Sequence, residues 1–151
     1  MGMQTIALLV LLAASCQSRD ALGTWKMNAE KSRFHGPPPK ALTVRYEPQA
    51  DAEVWTFNQD RADGNSETTS QTLHFDGKEY SCGDVGLEER PDTVVSRKPD
   101  ARTAEVFYKK SGRVARRMVR TVSADGRQMT LDIQLTPEKG PAVERRLVFE
   151  R

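Results

Sequence analysis

Histidine and cysteine are scarce in this chain, with two of each among 151 residues. That leaves little for a metal centre or a nucleophilic site. A structural zinc needs four such ligands, and a nucleophile needs a base and a third group that orients it. A dominant sign of charge is missing too: 23 Lys and Arg stand against 21 Asp and Glu, a formal net charge of +2. A dedicated nucleic-acid binder, whose affinity rests on many phosphate contacts, is therefore not expected. No apolar run approaches the ~20 residues of a membrane-spanning helix. Helical periodicity over a dozen residues is absent as well. What remains, at 37% apolar residues, is one domain with a single core.

The first fifteen residues differ from all the rest. Ile6 to Leu12 is continuously apolar, Ala13-Ala14-Ser15 is small, and Gln17-Ser18-Arg19-Asp20 is abruptly polar. This pattern fits the apolar region of a secretory signal over 1–15, although Met1 to Thr5 carries no Lys or Arg. Leu12-Ala13-Ala14-Ser15-Cys16 resembles a bacterial lipobox, in which the cysteine is diacylated and becomes the mature N-terminus. Ordinary signal cleavage beside a chance cysteine is the alternative. The lipobox reading implies lipidation at Cys16, a tether over 16–22, and a membrane partner through the lipid alone. Asp after such a cysteine is the inner-membrane retention signal of these lipoproteins. Gln17 is not that signal, so an outer-membrane anchor facing the periplasm is expected, with a periplasmic or secreted form as the alternative.

From Gly23 the chain is punctuated like a series of hairpins. Turn signals fall at 48–51, Asp63-Gly64-Asn65, Asp76-Gly77, Ser111-Gly112, Asp125-Gly126 and Lys139-Gly140-Pro141. Between them lie Val-, Thr- and aromatic-rich segments at 41–47, 53–61, 67–75, 92–98, 103–110, 113–122, 128–136 and 142–150. Met129, Leu131, Ile133 and Leu135 alternate strictly with polar residues, as one buried strand face requires. Val143, Leu147 and Phe149 share a phase with Arg145, and Val114, Met118 and Val122 share one with Arg116 and Arg120. The expected fold is all-β, a small antiparallel up-and-down barrel over 23–151, because closure buries every apolar face and removes edges. A β-sandwich is the alternative. His35-Gly36-Pro37-Pro38-Pro39 cannot lie in a central strand and is expected to cross one end of the barrel.

Gly23-Thr24-Trp25 at the head of such a barrel resembles the calycin group, lipocalins in particular. The run from Gly23 to Phe34, the Gly-Pro loop after it and Ser123 to Thr130 are similar to a group of uncharacterised bacterial secreted proteins of lipocalin-like type. The resemblance implies a fold and no activity. It also implies that Trp25 seals one end of the barrel beneath an arginine from near the C-terminus. Arg145, Arg146 and Arg151 are the candidates for that arginine, and the sequence does not choose among them.

The arginines of the apolar phases are the candidate site. Arg116 and Arg120 can reach solvent along their aliphatic stems near the barrel ends. Otherwise Arg116, Arg120 or Arg145 is an internal cation that anchors an anionic, partly apolar ligand. A guanidinium stays charged when buried and needs a counter-charge. Asp132 and Glu144 fall in the polar phases of their strands and are poor internal partners. His74 and Cys82 match no zinc pattern, and neither histidine has a nucleophile motif beside it. Cys82 is expected to be a buried small hydrophobe. The chain is thus expected to be a non-enzymatic envelope lipoprotein with no cofactor and no metal, binding a small lipophilic ligand. The alternative is a protein–protein interaction module, an inhibitor or assembly factor with no ligand cavity. A filled interior would favour that alternative.

Overall fold

The computed structural model describes residues 21–151, so Cys16 and the segment 1–15 lie outside the described residues. Ten strands follow one another in it: β1 Gly23–Met27, β2 Ala41–Gln49, β3 Ala52–Asp60, β4 Ser66–Leu73 and β5 Asp76–Ser81, then β6 Thr93–Asp100, β7 Thr103–Lys110, β8 Arg113–Val122, β9 Gln128–Leu135 and β10 Val143–Glu150. They form one antiparallel sheet in the order β4-β3-β2-β1-β10-β9-β8-β7-β6-β5. Consecutive strands pair throughout, except that β1 also pairs with β10 and that β4 and β5 do not pair. The sheet curls into an up-and-down barrel with one unpaired seam, between β4 and β5. A single sheet with one interior leaves no place for the sandwich alternative.

Alternation makes the core. Leu42, Val44 and Tyr46 on β2, Ala104, Val106 and Tyr108 on β7, and Met129, Leu131 and Ile133 on β9 all point inward and are buried. Each large aliphatic side chain so buried contributes about 1.5–3 kcal/mol relative to exposure. The β7–β8 hairpin turns on Ser111 and Gly112, with φ of 50° and 77°. Two successive positive φ values are what a tight two-residue turn needs, and they explain the glycine.

Two elements differ from the expectation. Tyr108 faces Arg116 while Lys109 faces Val114, so Ala115 is an extra residue in β8. This bulge reverses the phase before it: Val114 is exposed and Ala115 is buried. Val114 therefore does not share the inward face with Met118 and Val122. Asp76-Gly77, read as a hairpin turn, instead opens β5, which pairs with β6 and is irregular after Asp76. The chain crosses from β4 to β5 at the seam without pairing them. Ala21 and Leu22, assigned from sequence to a tether, pack against the core.

Candidate functional site

The two ends of the barrel differ in kind. At the end where β1 begins, Trp25 is completely buried. Its Nε1 donates to the Ala21 carbonyl at 2.7 Å. The Arg151 guanidinium lies 4.2 Å from the ring centroid, donating from Nε to the Gly126 carbonyl at 3.0 Å and from Nη1 to the Leu22 carbonyl at 2.8 Å. Of the three candidate arginines, Arg151 is thus the one over the indole, a cation–π contact of about 0.5–2 kcal/mol. Arg146 lies outside the barrel, paired with Asp132 at 2.7 Å.

A buried ionic cluster lies at this same end. Arg120 on β8 points inward, and its Nη1 donates to Glu53 on β3 at 3.0 Å. Glu53 also accepts from Lys98 Nζ at 2.7 Å and from Trp55 Nε1 at 3.0 Å. The guanidinium lies 4.5 Å from the Tyr46 ring centroid and 4.7 Å from that of Trp55. Burial works to raise the Glu53 carboxyl, but the Arg120 charge and the hydrogen bonds from Lys98, Trp55 and Arg120 outweigh it and hold it below the usual glutamate range. Burial pushes the Tyr46 hydroxyl well up, with Arg120 offsetting only part of this. Arg120 thus has its counter-charge inside the protein. Strand alternation relates these arginines only to acids on nearby strands, Asp132 and Glu144. Glu53 comes from across the bore, at the start of a strand whose first two residues are both buried.

The opposite end holds a cavity of about 350 Å³. Met118, Ile133 and Leu147 from β8, β9 and β10 line it, with Leu42 and Phe57 from β2 and β3. Pro37 and Pro39 of the proline loop border it, as do Val85 and Leu87 of the β5–β6 loop. That second loop lies against the seam: a Cβ on Gly86 would come within 2.9 Å of Thr69 Cγ2 on β4.

Arg116 and Arg145 both line this cavity, one on each side of β9, and Arg120 does not. Arg116 is bound to Glu89 of the β5–β6 loop through Nε and Nη2, the latter at 3.2 Å. Arg145 has no ion pair with any described residue, and its Nε is buried without a hydrogen-bond partner. Gln71 on β4, also on the cavity wall, has a buried Oε1 that accepts no hydrogen bond. Nothing in the alternation of β4 marks Gln71 out; it appears only once the barrel is closed. The chemistry available here is a chamber of mixed polar and apolar lining, with Glu67 and Glu88 also on its wall, and with a cation and an acceptor whose buried atoms are unsatisfied.

Elsewhere, His74 stacks on Tyr80 at 4.1 Å, and Cys82 Sγ lies 3.3 Å from the Pro91 carbonyl. Burial raises the Cys82 thiol above its ordinary value. Among the described residues, no three His, Cys, Asp or Glu side chains gather where they could hold a metal ion.

No protein-family model and no curated protein matches the chain. Solved structures do. Zebrafish ileal bile acid-binding protein, complexed with cholic acid, is 13% identical, with a TM-score of 0.51 over 86% of this chain and 98% of that one. Lobster apocrustacyanin A1 is 13% identical, with a TM-score of 0.47 over 91% of this chain and 62% of that one. The antiparallel barrel architecture is shared with the zebrafish protein. At such identity the likeness establishes architecture alone.

Proposed function

We propose that this protein is an exported envelope lipoprotein whose barrel binds a small, partly apolar anion in the open-end cavity. The observation that carries the reading is Arg145, a cation on a cavity wall shared with Met118, Ile133 and Leu147, with no ion pair to any described residue and a buried, unsatisfied Nε. A guanidinium cannot shed its proton there, so an acidic head group supplies what it lacks, through bidentate hydrogen bonds. Arg116 also lines the chamber but already has its counter-charge in Glu89. Arg120 stands apart from the ligand in this reading, because Glu53 already neutralises it. The zebrafish barrel, complexed with cholic acid, is an instance of this architecture around an organic acid.

The anchor belongs to the same proposal. Cys16 precedes Ala21 by five residues, and Ala21 binds Trp25 at the sealed end. A lipid on Cys16 would therefore join the barrel at its sealed end and direct the cavity mouth away from the bilayer, with outer-membrane attachment facing the periplasm.

Titration of the purified protein with a fluorescent fatty-acid probe tests the binding reading. Saturable binding is expected, weakened in Arg145→Leu by about ten- to a hundredfold, as loss of a charge-assisted hydrogen bond implies. No saturable binding would favour the interaction-module alternative, with the mouth loops contacting another envelope protein.

A further inference from the structure

The geometry points to a ligand that is a hydroxylated acid, carrying an O–H donor in addition to its anion, recognised by Gln71 together with Arg145. This deepens the reading above and rests on it. Three buried side-chain polar atoms among the described residues lack a hydrogen-bond partner: Gln71 Oε1, Arg120 Nε and Arg145 Nε. The Arg120 atom belongs to the ionic cluster with Glu53, Tyr46 and Trp55. The other two belong to residues that line one cavity. They make opposite demands, since a guanidinium only donates and a carboxamide oxygen only accepts.

The orientation of the Gln71 amide is fixed by its other half. Its Nε2 donates to the Thr72 carbonyl at 3.1 Å. A carbonyl offers no proton, so turning the amide over would place two acceptors against each other. The unsatisfied atom is therefore the oxygen, and it requires a donor. Three strands lie between β10, which carries Arg145, and β4, which carries Gln71. They thus address the same chamber from different parts of its wall. A simple alkyl carboxylate satisfies Arg145 and leaves Gln71 Oε1 desolvated without a partner. An acid with a hydroxyl on its chain satisfies both, and its apolar remainder lies against Met118, Ile133 and Leu147.

The test compares decanoate with β-hydroxydecanoate and ω-hydroxydecanoate, which place the hydroxyl near to and far from the carboxylate. Affinities are measured by displacement of the fluorescent probe from the wild type and from Gln71→Leu. At least one hydroxy acid is expected to bind about tenfold more tightly than decanoate. Gln71→Leu should abolish that preference while still binding decanoate, which also shows that the variant is folded. Equal affinity for all three acids would mean that water meets the Gln71 oxygen, and would overturn the inference while leaving the anion site standing. A preference that persists in Gln71→Leu would overturn the assignment to Gln71. Failure of all three acids to bind the wild type would remove the anion site itself, and this inference with it.

Discussion

Glu53 shows how one residue can decide what a neighbouring cation is for. It is 7% exposed and holds Arg120, Lys98 and the Trp55 indole at once. Glu53→Gln would leave Arg120 buried without its counter-charge, and the expected loss in denaturant melts is about 3–5 kcal/mol. The folded-state carboxyl lies below the ordinary glutamate range. Its contribution is therefore fully present above the unfolded pKa of about 4.3 and is lost as pH falls through the lower folded value. Wild type should accordingly lose more stability than Glu53→Gln between about pH 6 and about pH 3. An equal loss would show that the cluster is not linked to acid unfolding. At the sealed end, Trp25→Ala should cost about 3–5 kcal/mol by the same melts, as for other buried aromatics, and a near-neutral result would disprove the end-seal. The tryptophan was readable from Gly23-Thr24-Trp25, but its arginine was not. Arg145 and Arg146 take opposite faces of β10, and Arg151 lies past the end of that strand.

At the scale of elements, legibility followed regularity. In β9 a strict period of two over Met129, Leu131 and Ile133 identified the buried face from residue types alone. In β8 one bulged residue, Ala115, broke the period, and Val114 was assigned to the wrong face. A bulge leaves no mark in composition, because any residue type can occupy it. β5 escaped notice for another reason: Asp76-Gly77 has the chemistry of a hairpin tip but sits in a strand that never pairs with the one before it. The β5–β6 loop, unremarkable in sequence, covers the resulting seam. Gly86 has φ of 71° and approaches Thr69 too closely for a side chain. Gly86→Ala should destabilise by about 1–2 kcal/mol from the left-handed backbone alone, with a further contribution from the contact. Combining it with Thr69→Ala should restore the contact part and not the backbone part, as a double-mutant cycle in denaturant would read. Full additivity of the two substitutions would show that the loop does not rest on β4 there.

For the whole molecule, the division of labour runs along the barrel axis. One end holds Trp25 with Arg151 over its ring, together with the Glu53 cluster near the β2–β3 and β6–β7 turns, and the other end is hollow. The sequence made the barrel legible, through turn spacing and alternation, but not the hollow. A cavity is what several strands fail to fill together, and the phase of any one strand does not report it. The anchor expected at Cys16 is checked by metabolic labelling with a fatty-acid analogue, which should tag wild type and not Cys16→Ser. Equal labelling of both would refute lipidation at that residue. The central claim is that an anion occupies the open-end cavity, and methyl chemical-shift mapping by NMR during a decanoate titration tests it most directly. The account predicts saturable shifts for Met118, Ile133 and Leu147, with Val122 and Met129 of the sealed half nearly unmoved and the whole response suppressed in Arg145→Leu. Shifts confined to the outer face, or none at all, would contradict it.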